Sequence, residues 1–88
     1  MKAFKVRKDT DVKNLASFIA KELRDDDSDI ELTAIGAGAV NQAQKAIAVA
    51  RGYLIVQGID IYSQPSFCNV TIDDTSKSAM KFTVHKMK

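Results

Sequence analysis

The spacing between apolar residues alternates along this chain between the two-residue repeat of a strand and the three-to-four-residue repeat of a helix. Phe4 and Val6 alternate with charged residues, which predicts a half-buried strand over residues 2–7. A strand followed directly by an amphipathic helix is typical of an α/β fold. The helix is predicted over residues 11–24, with its apolar face formed by Val12, Leu15, Ala16, Ile19 and Leu23.

The same strand–helix pattern repeats in the middle of the chain. Ile30, Leu32 and Ala34 share one face of a second predicted strand over residues 30–35. A glycine turn follows, and a second helix is predicted from about residues 37–39 to about Arg51, with Gly52 as its stop. Its apolar stripe consists of Val40, Ala43, Ile47, Ala50 and Leu54.

Two more strands are predicted in the last third of the chain. Residues 53–56 form an apolar connector, and a third strand is predicted around residues 59–64. Pro65 cannot donate a hydrogen bond to a neighbouring strand, so the strand bends, bulges or lies at a sheet edge there. Residues 73–78 are predicted to form a hairpin loop. The inward-facing residues that flank this loop are predicted to be Cys68, Val70, Ile72, Met80, Phe82 and Val84.

The resulting order, β-α-β-α-β-β, predicts a two-layer α/β sandwich. Each βαβ step favours a right-handed crossover, which places both helices on one face of a four-stranded mixed sheet. The other face is left open, with a polar surface of mixed charge. The 88 residues are enough for one hydrophobic core and too few for two, so residues 1–88 are predicted to form one domain.

The charge and cysteine content restrict the function classes only weakly. There are 13 Lys and Arg residues against 11 Asp and Glu residues, a net charge of +2, so any binding to nucleic acid must depend on where the charges lie. The single Cys68 cannot form an internal disulfide. The first residues lack the apolar segment of a secretory signal, and no apolar run approaches the roughly 18 residues of a membrane span. These features predict a cytoplasmic protein without a membrane partner.

The glycine turn before the second helix is the most informative segment. Gly36, Ala37 and Gly38 leave the backbone bare where helix N–H groups point outward with partial positive charge, and a phosphate could approach there. Asn41, Gln42 and Lys45 add donors within the next turns of the helix. The alternative is that the small residues of this helix allow close packing on the sheet or on another subunit, and the sequence leaves both interpretations open.

Nucleotide-dependent chemistry is not predicted at this turn. The third glycine of a dinucleotide-binding fingerprint is missing, and the lysine and Ser/Thr of a P-loop are not at the required spacing. The sequence also offers no pairing of a nucleophile with a base. Cys68 is predicted to be a buried core thiol, and His85, the only histidine, a solvated residue on an outward strand position. A non-enzymatic protein without cofactor or metal is therefore predicted.

The segment from residue 34 to residue 52 resembles the stage V sporulation protein S family. The similarity spans most of the chain, and its most specific matches are IGAGA at 35–39, NQA at 41–43, KA at 45–46 and A-R-G at 50–52. That family looks like a bacterial relative of the chromatin protein Alba. The resemblance implies an Alba-like fold, a homodimer, nucleic-acid binding as the suspected activity, and a link to spore development.

The resemblance also implies where a nucleic acid would bind. In Alba-like proteins, basic residues of the two βα turns and of the long last hairpin contact the duplex. We therefore expect DNA or RNA to be bound through its backbone, with little sequence preference, and a location at the nucleoid is compatible with that role. The expected contact residues are Lys8, Lys13, Gly36, Gly38, Asn41, Gln42, Lys45, Arg51, Lys77 and Lys81.

Carboxylates beside some of these lysines argue against phosphate binding at two places. Asp9 and Asp11 flank the first turn, and Asp73 and Asp74 precede Lys77. A further acidic run at residues 25–29 is predicted to be a solvated loop. The alternative function is a non-enzymatic protein-interaction or assembly module, which the alanine-rich second helix, the apolar residues 53–56 and the low net charge favour.

Overall fold

The computed structural model describes residues 1–26 and 28–87. Asp27, within the predicted acidic loop, and Lys88, the last residue of the predicted domain, lie outside the described residues. The elements follow the predicted order: β1 (Lys2–Val6), α1 (Val12–Asp25), β2 (Ile30–Ala34), α2 (Ala37–Ile55), β3 (Ile61–Ile72) and β4 (Thr75–Lys86).

Helix α1 begins where the sequence places a carboxylate. The Asp11 side chain accepts a hydrogen bond of 3.0 Å from the Asn14 backbone N–H, which satisfies one of the amide groups left unpaired at a helix start. The preceding turn is closed by Thr10, whose backbone N–H donates to the Arg7 carbonyl at 3.1 Å and whose hydroxyl accepts from the Arg7 N–H at 2.8 Å. These contacts fix the path from β1 into α1.

The four strands form one mixed sheet in the order β1-β2-β4-β3. Strands β1 and β2 are parallel, and β4 runs antiparallel to both of its neighbours, β2 and β3. Strand β3 is therefore an edge strand, and Pro65 lies within it. This confirms the edge position among the three alternatives for that proline, because one side of an edge strand needs no ladder hydrogen bonds.

One face of the sheet and both helices form the core, as the two-layer interpretation predicts. Leu32, Phe82 and Val84 of the sheet pack in one cluster with residues from α1 and α2, and each is at most 1% exposed. Helix α2 contributes mainly small residues, which allow it to lie close to the sheet and to α1. Its buried residues are Ala39, Ala43, Ala46, Ile47, Ala50 and Leu54.

The predicted end of the second helix is wrong. Helix α2 continues through Gly52 to Ile55, so residues 53–55 are helical and do not form a connector. Leu54 anchors the extra turn because its side chain is fully buried. The chain turns at Gly58, whose φ of 79° is in the region that glycine adopts readily, and the Gln57 and Gly58 N–H groups bond back to the last helical carbonyls.

The predicted facing of the residues after Pro65 is also wrong. The sequence left a bend, a bulge or an edge position open at Pro65, and β3 is unbroken over its 12 residues. Cys68 pairs with Ala79, Val70 with Lys77 and Ile72 with Thr75, which places these three β3 side chains on the open face together with Tyr62. Cys68 is therefore only partly buried, and it is not a core thiol.

The hairpin is longer and its turn tighter than the sequence predicts. Only Asp73 and Asp74 form the turn, with φ angles of 50° and 62°, and Thr75 already starts β4. Two consecutive residues with positive φ are the signature of a type I′ turn. Because β2 pairs with β4 only at residues 80–84, residues 75–79 extend past β2 by about 16 Å. We call this projecting part of the hairpin the hairpin arm, residues 68–79.

Candidate functional site

Both βα turns and the hairpin arm lie at the same end of the sheet. Strands β1 and β2 are parallel, so the turns that follow them meet at their shared carboxyl end. Strand β4 is antiparallel to β2, so its first residues and the arm leave the sheet at that end too. We call this end of the molecule the turn end. The fold thus brings together three segments that the sequence marks separately.

Lys8 in the first turn packs directly against Gly38 in the second. A Cβ atom added at Gly38 would lie 2.9 Å from the Cβ atom of Lys8 and 3.7 Å from its Cα atom. The absence of a side chain at Gly38 therefore serves close packing between the two turns. At Gly36 no atom lies within 4 Å of the corresponding position, and this residue remains open to solvent.

A second contact joins the two turns. The Gln42 side-chain amide donates a hydrogen bond of 2.8 Å to the backbone carbonyl of Thr10, and the contact is partly buried. The Gln42 oxygen accepts a longer bond of 3.5 Å from the Asn41 amide. Gln42, which the sequence analysis offers as a phosphate donor, thus positions the first turn, whereas Asn41 is exposed on the helix surface.

The N-terminus of α2 is open to solvent. Gly36 occupies the N-cap position with a φ of 88°, and within the described residues no side chain bonds to the amides of the first helical turn. Gly36, Ala37 and Gly38 are exposed. Unpaired N–H groups and the helix dipole favour an anion at such a position. Lys8, whose Cβ atom is held against Gly38, adds an exposed lysine to this part of the molecule.

Four of the predicted contact lysines are exposed and have no ion-pair partner in the part of the chain that the structure describes. Three of them belong to the turn end, and Lys45 lies on α2 about 12 Å along the helix axis from Ala37. Their ammonium groups are free to meet an external anion. These residues are Lys8, Lys13, Lys45 and Lys77.

Two other predicted contact residues are paired with carboxylates. Arg51 contacts Asp60 through two hydrogen bonds of 2.7 and 3.3 Å, and it lies about 21 Å along α2 from Ala37, far from the turn end. The hydrogen bond from Arg51 and that from the Ile61 N–H lower the pKa of Asp60, while Asp60 raises the pKa of Arg51. Lys81 forms a 3.3 Å ion pair with Glu31 on the open face and lies in the sheet, not on the hairpin arm.

The histidine that was considered for chemistry has structural partners. His85 lies on an outward position as expected, but it is not simply solvated: its ring stacks on Tyr62 with centroids 4.9 Å apart. Its Nδ1 atom lies 2.9 Å from an Asp29 carboxylate oxygen and its Nε2 atom 3.0 Å from the Gln64 oxygen. Across residues 1–26 and 28–87, no group of three or more His, Cys, Asp or Glu residues is arranged to hold a metal ion.

Sequence reasoning missed two cations at the turn end. Lys5 lies on the open face of β1 and Arg7 directly follows that strand, and together with Lys77 they line a groove beside the hairpin arm. The alternation of β1 places both on the outward face, but the groove depends on the facing of Val70 and Ile72, which the sequence did not predict correctly. With the pairing of β3 and β4 known, the outward positions of Lys5 and Arg7 would have been sufficient to predict the groove.

A comparison with known families decides the relationship that the residue motifs indicate. A family model described as stage V sporulation protein S (SpoVS) matches residues 2–87. The chain belongs to this family. Among solved structures, Alba from Thermoplasma volcanium is similar with a TM-score of 0.60 and 8% sequence identity, over 97% of this chain and 100% of that one. At this low identity the similarity shows a common fold, so the family and the Alba-like fold are both confirmed.

Over the described residues, no helix of this SpoVS family member is both long and apolar enough to cross a bilayer.

Proposed function

We propose that this SpoVS family member binds the sugar-phosphate backbone of DNA or RNA through its turn end, as a non-enzymatic protein. The observation that carries the proposal is the packing of Lys8 on Gly38, which places an unpaired cation beside the uncapped N-terminus of α2. The Alba-like fold of this chain is compatible with the nucleic-acid binding that the family resemblance implies.

The distribution of charge supports backbone contacts over base reading. Lys8, Lys13 and Lys77 lie at the turn end, where α2 also presents its free amides, and Lys45 extends the charge along the helix. Phosphate contacts fix position without carrying sequence information. Among the described residues no helix is basic enough to enter a major groove, so we expect little sequence preference.

Of the predicted contact set, the paired residues contribute least to this proposal. Arg51 and Lys81 already have carboxylate partners at 2.7 and 3.3 Å, so binding a phosphate there would require an existing ion pair to break. Gly38 and Gln42 act indirectly, by holding the two turns together. We therefore assign direct contact to Lys8, Lys13, Lys45 and Lys77 and to the amides near Gly36, with Asn41 beside them.

A salt titration of binding tests the proposal. Fluorescence anisotropy with a labelled DNA duplex and a labelled RNA duplex would be measured from about 50 to about 200 mM salt. With about four phosphate contacts, the logarithm of the affinity for DNA should fall against the logarithm of salt with a slope of about −3 to −4. Absence of binding to either duplex at about 50 mM salt would remove the proposal.

We also propose that the protein forms a homodimer. The alternative to nucleic-acid binding is a function as a protein-interaction or assembly module. Tyr53, Ile55 and Val56 at the end of α2 are exposed, Val56 by 82%, although they are apolar. Such a cluster is typical of a surface that another protein covers. Sedimentation of the protein and of the Val56→Asp variant tests this, because a dimer formed there should dissociate in the variant. A dimer that binds neither DNA nor RNA would favour the assembly function, in spore development or elsewhere.

A further inference from the structure

The open face carries a groove that is separate from the amides of α2. It lies between the carboxyl ends of β1 and β2 and the hairpin arm, and its volume is about 350 Å³. This volume is within the roughly 300–1,000 Å³ of small-molecule sites in proteins. We call it the hairpin groove.

The charged side chains of the hairpin groove all have the same sign. Lys5, Arg7 and Lys77 line it, and its lining includes no carboxylate. None of these three side chains has an ion-pair partner among the described residues, whereas elsewhere on the open face Lys81 pairs with Glu31. The groove therefore favours an anion, and the guanidinium of Arg7 can hold a phosphate or carboxylate with two hydrogen bonds.

The rest of the lining is mostly apolar. Ile35 and Ile72 contribute side chains that are 39% and 41% exposed, and Val70 of β3 also lines the groove. Exposed branched side chains in a concave surface gain free energy when a flat apolar body covers them. Thr33 adds a hydroxyl that can bond to a polar edge of such a body.

The two halves of the lining together define the ligand. Inorganic phosphate alone would leave the apolar wall uncovered, and a purely apolar ligand would cover three cations without compensation. We infer that the hairpin groove binds a nucleoside phosphate, with its phosphate on Arg7, Lys5 and Lys77 and its base against Ile72, Val70 and Ile35. The nucleotide can be free in solution or the unpaired end of a nucleic-acid strand, since both present the same groups.

Calorimetric titrations with AMP, adenosine and inorganic phosphate test this inference on the full chain. We expect AMP to bind at least tenfold more tightly than either adenosine or phosphate. Arg7→Gln should weaken AMP binding at least tenfold, and Ile72→Thr, which changes no charge, several-fold. Arg24→Gln is the matched control, because Arg24 is exposed on α1 and pairs with Asp25. Its AMP affinity should equal that of the wild type.

A second experiment distinguishes the two sources of the nucleotide. A blunt DNA duplex and the same duplex with a short unpaired end would be compared for binding to the wild type and to Ile72→Thr. A preference for the unpaired end that Ile72→Thr abolishes assigns the groove to strand ends, and AMP binding without that preference assigns it to free nucleotides.

The inference is overturned if neither AMP nor the unpaired end binds better than its control. Equal effects of Arg7→Gln and Arg24→Gln on AMP binding would also overturn it. Circular dichroism and the melting temperature of each variant verify that it is folded. Binding of the blunt duplex does not depend on Ile72, so failure of this inference and failure of the proposed function give different results.

Discussion

The Cβ atom of Lys8 lies 2.9 Å from the point where a Cβ atom would be placed at Gly38. Real Cβ atoms do not approach one another so closely, so only glycine permits this packing of the first βα turn on the start of α2. The contact has a stabilising role, and it also sets where the Lys8 ammonium group can reach. Stability and the proposed binding surface thus depend on the same residue pair.

Replacement of Gly38 by alanine should destabilise the protein. The added methyl group meets the Lys8 Cβ atom, which is too close to the backbone to move independently, so the turn must shift at a cost of about 1–3 kcal/mol. Gly52→Ala is the matched control: position 52 lies within α2, and apart from the adjacent backbone of that helix no atom lies within 4 Å of its Cβ position. That variant should gain about 0.5–1 kcal/mol from its better helix propensity. Urea denaturation of both variants measures the difference.

Gln42→Ala should loosen the first turn. The variant loses a partly buried hydrogen bond of 2.8 Å to the Thr10 carbonyl, which we expect to cost about 1 kcal/mol and to increase amide exchange at residues 8–11. Gln44→Ala, two residues away on the exposed side of α2, should change stability by less than about 0.5 kcal/mol. Equal stability of the two variants would contradict a role for Gln42 in joining the turns.

The sequence was sufficient to predict the two layers of this fold, but it was not sufficient to predict the geometry of the turns. Alternation at Phe4 and Val6 and the helical spacing that includes Leu15 and Ile19 predicted the elements, because burial of one face imposes these repeats. The function of Gly38 could not be assigned, because bare backbone for a phosphate and bare backbone for a neighbouring turn require the same residue. Only the position of Lys8 decides between them.

Lys45, which has no ion-pair partner among the described residues, should contribute more to duplex binding than Arg51, which pairs with Asp60. Lys45→Gln and Arg51→Gln each remove one positive charge from an exposed position of α2. We expect Lys45→Gln to weaken duplex binding several-fold and to reduce the salt slope by about 1. Arg51→Gln should change affinity less than about twofold, because Asp60 holds that guanidinium at the other end of the helix. Anisotropy titrations at two salt concentrations compare them, and the reverse order would refute the assignment.

The pair of Arg51 and Asp60 should make stability depend on pH in the acid range. Hydrogen bonds from Arg51 and from the Ile61 N–H lower the pKa of Asp60 in the folded protein below its value of about 3.9 in the unfolded chain. Its contribution is therefore present above about pH 4 and is lost as the pH falls through the folded pKa. The melting temperature of the wild type should decrease more than that of Asp60→Asn from pH 5 to about pH 2. Parallel curves would contradict this.

Replacement of the two aspartates of the hairpin turn should make the protein more stable and strengthen its binding to a duplex. Asp73 and Asp74 both adopt positive φ, at 50° and 62°, where Asn-Gly is strongly preferred. Asp73→Asn with Asp74→Gly should raise the melting temperature and remove two carboxylates near Lys77, which should strengthen duplex binding. Asp73→Asn with Asp74→Asn removes the same charges without the glycine. We expect it to bind similarly and to gain less stability, and weaker binding in either variant would count against a contact at the arm.

The hairpin arm was the least predictable part of the molecule. A polar run from Asp73 to Ser78 favours a loop by composition, but cross-strand pairing keeps Thr75–Ser78 in β4 and leaves only two residues to turn. The register then places Val70 and Ile72 on the open face, opposite to the expected side, because a shift of one residue reverses every side chain of a strand. The hairpin groove follows from that reversal and could not be found from the sequence.

An NMR titration of the isotope-labelled protein with a short DNA duplex tests the central claim most directly, since it reports on every backbone amide at once. At about 50 mM salt we expect the largest shift changes at the amides of residues 36–40, at Lys8 and at Lys77, with small changes at Arg51. Changes concentrated at residues 51–56, or none at any amide, would contradict binding of a nucleic-acid backbone at the turn end.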